Sequence, residues 1–170
     1  MAHKGARNDL TAEFVRSILD YDPETGVFRW KRQLSWRAPV GAVAGSPNRS
    51  GHIAIGINGA AYYAHRLAFL YMTGEWPEKE IDHKRSDTPS DNRWSAIRPA
   101  TSSQNLCNRR ARPGRSGYRG VFEANPGRWA AKITINRKQV YLGCFDTPAE
   151  AHAIYCAAAQ RIHGEFARNK

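Results

Sequence analysis

Apolar positions along the chain change their period several times, and each change marks an element. Phe14, Val15, Ile18 and Leu19 recur at helical spacing behind Thr11, which predicts a short amphipathic helix with a threonine N-cap. Asp22-Pro23-Glu24-Thr25-Gly26 breaks that pattern as a turn, and Val27-Phe28-Arg29-Trp30 follows as a strand. Gly41 and Gly45 flank a tight stretch. His52 to Ile57 and Ala61 to Tyr63 are separated by Asn58-Gly59, a dipeptide suited to the left-handed conformation of a two-residue hairpin turn. His65 to Tyr71 reads as a helix stopped by Gly74 and Pro77. Ile81-Asp82-His83 predicts a brief strand that runs into the polar loop Lys84 to Arg93. Thr101 or Ser102 then caps a new helix through Leu106.

The last third is more regular. Tyr118 to Phe122, Trp129 to Ile135 and Gln139 to Phe145 predict three successive strands, joined by turns at Asn125-Pro126-Gly127 and Asn136-Arg137-Lys138. Pro148 opens a helix that lasts to about His163, with Gly164 just past its end. Ala151, Ile154, Tyr155, Ala158, Ala159 and Ile162 are expected to form its apolar face. Alternation puts Trp129, Ala131, Ile133 and Ile135 on one side of the middle strand, with Ala130, Lys132 and Thr134 on the other. In the third strand Val140 and Leu142 oppose Gln139 and Tyr141. One sheet face would cover the helix, and the other would present Arg119, Lys132, Thr134, Gln139 and Tyr141.

Composition narrows what such elements can do. A chain of 170 residues has room for one ordinary domain or two small ones. The net charge of +11 favours a polyanionic partner, double-stranded DNA being the commonest, while RNA, an anionic lipid surface or solubility alone are also compatible with a basic surface. No apolar run reaches the roughly 18 residues of a membrane span, so no membrane partner is expected. The polar start, Met1 to Asn8, lacks the apolar core of a secretory signal. Cys107, Cys144 and Cys156 are odd in number and without C-x-x-C spacing, which predicts neither a disulfide framework nor structural zinc. An intracellular, reducing setting, the cytoplasm, is expected. The basic run Arg109-Arg110-Ala111-Arg112-Pro113-Gly114-Arg115-Ser116-Gly117 reads as a linker between domains.

Asp82-His83 carries the candidate chemistry. Phosphodiester hydrolysis needs an activated water, stabilisation of charge on the phosphate, and help for the leaving 3′ oxygen. Asp82 offers a carboxylate to a hard divalent ion, Asn105 an amide oxygen, and His83 a base that titrates near neutrality. Successive strand residues point to opposite faces, so Asp82 and His83 share one site only where the strand ends or bends. By spacing alone these residues are equally well solvated loop positions.

Their setting changes that reading. Ala64-His65-Arg66-Leu67, Ile81-Asp82-His83, Asp91-Asn92-Arg93, Ile97-Arg98-Pro99-Ala100-Thr101 and Ser103-Gln104-Asn105 with Asn108, taken in order, resemble the HNH endonucleases of the phage and intron homing type. Tyr21 to Trp30 is similar to the lead-in of such enzymes. The resemblance implies a ββα-metal site in which a bent two-stranded ribbon and one helix grip the ion. Asp82 and Asn105 would be metal ligands and His83 the general base. The ion would be Mg²⁺, or alternatively Mn²⁺. Ala96 stands where the family commonly has an asparagine that braces the histidine, and Asn92 is the expected substitute. His65 has two readings, a contact to the scissile phosphate or local packing at a helix start. Arg66 is either structural or phosphate-facing. His3, His52, His152 and His163 show no ligand spacing.

Tyr118-Arg119-Gly120-Val121, Trp129-Ala130-Ala131-Lys132-Ile133, Tyr141-Leu142-Gly143-Cys144-Phe145, Thr147-Pro148-Ala149-Glu150-Ala151-His152-Ala153 and His163-Gly164 resemble the plant APETALA2-type DNA-binding domain. That resemblance implies a sheet laid in a DNA groove. Arg109, Arg110, Arg112, Arg115, Arg119, Arg128, Lys132, Thr134, Gln139 and Tyr141 would be its DNA contacts. Phe122 replaces an arginine of the plant proteins, so their target sequence does not transfer.

The expected fold is therefore α+β: a small ββα-metal nuclease domain followed by a three-stranded antiparallel sheet packed on one helix. The nuclease domain would occupy residues 1–108, with its core at about 64–108, the linker 109–117 and the DNA-binding domain 118–170. The expected activity is metal-dependent hydrolysis of double-stranded DNA, of the homing kind. A sequence-specific DNA-binding protein with a decayed nuclease core is one alternative. An RNA-binding module is another, weakened by the lack of aromatic stacking strands.

Overall fold

In the computed structural model, which describes residues 7–85, 87–108, 114–135 and 138–167, the chain forms two compact units, Met1–Ala100 and Thr101–Lys170. The first opens on α1 (Ala12–Ile18), capped by the Thr11 hydroxyl, which accepts the Phe14 N–H at 3.2 Å. Helix gives way to strand at Leu19, one residue earlier than the apolar spacing predicts. β1 (Leu19–Asp22) pairs antiparallel with β2 (Val27–Trp30) across the expected turn. Pairing with Trp30 overrides the helical spacing of Leu19, because both side chains are then buried in the same core.

β3 (Ser46–Pro47), β4 (Ile53–Ile57) and β5 (Ala60–Tyr63) form a second small sheet. Its hairpin turns at Asn58 and Gly59, whose φ angles of 50° and 76° are the left-handed pair that the sequence predicts. α2 (Ala64–Thr73) follows and ends on Gly74, whose N–H bonds back to the Leu70 carbonyl. β6 (Glu80–His83) then pairs antiparallel with β7 (Ile97–Ala100), a strand that Pro99 hides from a periodicity reading. Val15, Ile18, Leu19, Phe28, Ile55, Ile57, Leu67 and Leu70 are buried at the centre of this unit, with Ile81 and Ile97 tying the β6–β7 ribbon to them.

The second unit begins with α3 (Ser102–Asn108). The Thr101 hydroxyl accepts the Gln104 N–H, and Gln104 Oε1 accepts the Thr101 N–H at 2.8 Å, a reciprocal capping box. β8 (Val121–Asn125), β9 (Arg128–Ile135) and β10 (Lys138–Phe145) form an antiparallel sheet with β9 in the middle. α4 (Pro148–His163) packs on it, capped by Thr147 and ended by Gly164, as the sequence predicts. Val121, Ala131, Ile133, Ala151, Tyr155 and Ala159 form its core. The α+β class, with a three-stranded sheet on one helix, is thus observed.

Three expectations in this unit are corrected. β8 starts three residues later than predicted, which leaves Arg119 in the preceding turn rather than in the strand. Gly120 lies at φ 72°, and a Cβ there would fall 2.2 Å from the Tyr155 ring, so the chain turns tightly over α4 before pairing begins. Val140 and, on α4, Ile154 and Ile162 are exposed instead of buried. β10 is an edge strand whose first half is uncovered, and the small Ala151 and Ala159 flanking Tyr155 narrow the buried stripe of α4. Ala130 is fully buried although it lies on the expected outer face, where Phe122 and Cys144 flank it across the ladder.

Candidate functional site

His83 is the last residue of β6, and the polar loop that follows returns Asn92 to meet it. Asn92 Nδ2 donates to the Ser90 carbonyl at 3.0 Å, which fixes the amide and turns its Oδ1 towards the imidazole. His83 Nε2 lies 3.5 Å from that oxygen. An amide oxygen only accepts, so Nε2 carries the proton and Nδ1 carries the lone pair. The side chain is buried, and burial lowers its pKa below the usual imidazole value. The bond to Asn92 and the charges of Asp82 and Asp91 act in the opposite direction, while His52 adds to the lowering.

Asn92 is itself braced by the N-terminal hairpin. The Tyr21 hydroxyl donates to the Asn92 carbonyl at 2.7 Å, and the Trp94 N–H donates to the Pro23 carbonyl at 3.0 Å. Gly26, at φ 73°, lets the β1–β2 turn close onto the same backbone; a Cβ there would meet Arg93 N at 2.4 Å. The lead-in hairpin is therefore a support for the loop that holds His83.

Two further histidines meet His83. His65, in the first turn of α2, lies with its ring centroid 4.9 Å away, and His52, just before β4, lies 5.4 Å away. His52 and His65 are 5.5 Å apart, and Tyr63 stacks on His65 at 5.4 Å. His65 is only 7% exposed, and its Nδ1 is buried without a hydrogen-bond partner. Burial, then the neighbouring His83, His52 and Arg66, holds it well below the ordinary value, so it is neutral at pH 7. His52 Nδ1 meets the Ser50 hydroxyl at 2.9 Å. Sequence reasoning passed over His52, because nothing local distinguishes it; only the folding of β4 beside α2 and β6 brings it here.

Asp82 has a different neighbour. It lies opposite Arg98 in the β6–β7 register, and its Oδ2 accepts from both Nε and Nη2 of Arg98 at 3.1 Å. Both side chains are buried, Asp82 to 3% exposure. Alternation along β6 thus gives the carboxylate and the imidazole separate partners, as expected for adjacent strand residues. Among the described residues no group of three or more His, Cys, Asp and Glu converges to hold a metal. Asp82 nevertheless brings a hard, buried oxygen that suits a hard divalent ion, with Arg98 as the cation that shares it. Arg66 bonds Asn8 Oδ1 at 2.9 Å and lies over the Trp76 ring, which is its structural reading. Asn105 lies on α3, in the second unit.

In the second unit, Lys132 pairs with Tyr141 and Thr134 with Gln139 across the β9–β10 ladder, so the four share one face. Thr134, Gln139 and Tyr141 are exposed, Tyr141 to 61%, and Lys132 Nζ lies 4.7 Å from the Phe122 ring centroid. Arg128 pairs with Asp146, and Arg115 is exposed in the turn before β8. Arg119 is half-buried and hydrogen-bonds Tyr155; burial and then the charge of Arg119 lower the pKa of His163. Arg109, Arg110 and Arg112 lie outside the described residues.

The geometry is that of a buried histidine on a strand–loop–strand ribbon, and residues 62–107 match a family described as HNH endonuclease. That segment contains His65, Asp82, His83, Asn92, Arg98 and Asn105; His52 and Tyr21 lie outside it. Elsewhere the chain is 43% identical over 56 residues, 32% of its length, to APETALA2-like protein 2 of Oryza sativa subsp. indica, and equally to that of subsp. japonica. It is 44% identical over 54 residues, 31% of its length, to Ethylene-responsive transcription factor ERF084 of Arabidopsis thaliana. The chain spans 13% of the length of the Oryza proteins and 21% of the Arabidopsis one. An HNH endonuclease segment combined with an APETALA2-like one is therefore established at the level of family similarity. No helix among the described residues is long and apolar enough to cross a membrane.

Proposed function

We propose that the chain is a metal-dependent endonuclease of double-stranded DNA, of the homing kind, targeted by its C-terminal sheet. The observation that carries the reading is His83, buried at the end of β6 with the Asn92 amide oxygen 3.5 Å from its Nε2. Neutral His83 takes a proton from water, and the hydroxide so formed attacks phosphorus in line. The bond to the 3′ oxygen breaks, leaving a 5′ phosphate, and the departing oxygen takes a proton from solvent to become a 3′ hydroxyl. A divalent cation, Mg²⁺ or Mn²⁺, would supply charge neutralisation at the phosphate and the leaving oxygen. Asp82 would hold it, with Asn105 assigned as second ligand from its place in the family pattern. Asn92 keeps the imidazole in its basic tautomer, in the position where Ala96 offers nothing. Neutral His65 packs against His83 and keeps the base from water on that side.

Lys132, Thr134, Gln139 and Tyr141 form the surface we assign to the DNA groove, supported by the similarity to a transcription factor and by the shared exposed face. Arg115 adds a basic contact beside it; Arg119, engaged with Tyr155, is assigned to holding the turn. The division of labour we propose runs from a catalytic part through the basic run at 109–117 to a DNA-binding part at 118–170. The test is cleavage of supercoiled plasmid with Mg²⁺ or Mn²⁺. His83→Ala is expected to abolish cutting and keep duplex affinity. A wild-type chain that binds duplex DNA tightly and never cuts it with either ion favours the decayed-core alternative.

A further inference from the structure

We propose that the loop from Lys31 to Val43 is a second DNA-contacting surface, carried by the first unit and separate from the C-terminal sheet. It rests on the reading of the chain as a DNA endonuclease. The loop projects from β2 on an ordered stem. Gly41 N–H bonds to the Trp30 carbonyl at 2.7 Å, Trp30 N–H to the Ala42 carbonyl at 3.0 Å, and Ala44 N–H to the Phe28 carbonyl at 2.8 Å. Arg29 Nη1 adds a bond to the Gly41 carbonyl, and Ala38 is buried as a pin. A tip held this way presents its side chains with little ordering left to do on binding.

What it presents is unusual for a solvated loop. Trp36 is 78% exposed, with Leu34, Val40 and Val43 exposed around it. The Arg37 guanidinium lies 4.6 Å from the Trp36 ring centroid, and Lys31, Arg32 and Arg37 are exposed. From Val27 to Gly74 the sequence contains no Asp or Glu, while Arg29, Lys31, Arg32, Arg37, Arg49 and Arg66 all fall within it. Arg32, Arg37 and Arg49 make no ion pair with any described residue. An exposed indole flanked by unneutralised guanidinium groups is complementary to nucleic acid: the cations take phosphates, and the ring lies against sugar or base. Arg32 and Arg37 are assigned to phosphates, and Trp36 to the apolar contact.

The experiment is duplex binding by the full chain in EDTA, so that cutting does not intervene, measured by fluorescence anisotropy across a salt series. Arg32→Ala with Arg37→Ala is expected to weaken binding and flatten the plot of log affinity against log salt by roughly one to two units, about 0.9 per phosphate contact. Trp36→Ala is expected to weaken binding about five-fold or more with the slope unchanged, and Trp36→Phe to recover part of the loss. Thermal melting of each variant should match the wild type, because these side chains are exposed. Wild-type affinity and slope in all variants would exclude the loop while leaving the endonuclease reading intact. A wild-type chain without duplex affinity would overturn both. Lost binding to anionic phospholipid vesicles with unchanged DNA affinity would reject the assignment in favour of a membrane surface.

Discussion

At the scale of single residues, protonation and one buried ion pair govern the site. Burial holds His52, His65 and His83 below the ordinary imidazole pKa of 6.5. The unfolded chain takes up these protons near that value while the folded chain resists them. Stability is therefore full above pH 6.5 and falls as the pH drops below it, which thermal melts between pH 4.5 and 8 would record. On the proposed reading His83 works as a neutral base, and cleavage should then persist below pH 6.5 further than an ordinary histidine permits. The groups around it are His52, His65, Asp82 and Asp91. His52→Ala removes one lowering influence, so the acid limb of the rate profile should move to higher pH; an unmoved limb contradicts the coupling. Asp82 needs a control for structure. Asp82→Ala leaves Arg98 buried without its carboxylate and should cost about 3 kcal/mol or more in a denaturant titration. Asp82→Ala with Arg98→Met should recover most of that loss, and should still fail to cut if the carboxylate serves the reaction.

At the scale of elements, the local signals were legible and the tertiary ones were not. Asn58-Gly59, Thr147-Pro148 and Gly164 act through their own backbone, and the hairpin and α4 form where they predict. β8 was misplaced because its start is set by the Tyr155 ring over Gly120, a contact across 35 positions that no periodicity carries. Gly120→Ala should accordingly destabilise the second unit by roughly 2–3 kcal/mol, combining a left-handed φ with a steric clash; a melting temperature within a degree of wild type would contradict this packing. Asp82 and His83 stand out in the sequence only through the ordered series around them. His52 shows no ligand spacing and Tyr21 reads only as the start of the lead-in, since their contacts exist only once β1–β2 and β4 pack beside the β6–β7 ribbon. Tyr21→Phe should cost about 1 kcal/mol and slow cutting more than it weakens DNA binding, because it frees the Asn92 carbonyl and with it the brace on His83. Equal cutting by this variant would reduce the hairpin to a packing element.

At the scale of the whole molecule, the charge of +11 and the pairing of an HNH segment with an APETALA2-like one point to a single polyanionic substrate. On the proposed reading a small catalytic ribbon reads few bases, and selectivity rests on the Lys132–Tyr141 face and on the basic loop of the first unit. The most direct test of the central claim is a matched pair of assays on wild type and His83→Ala: single-turnover cleavage of a plasmid with Mg²⁺ or Mn²⁺, and duplex binding in EDTA. Cutting by wild type alone is expected, with affinities agreeing within about two-fold. Full cutting by His83→Ala would contradict it.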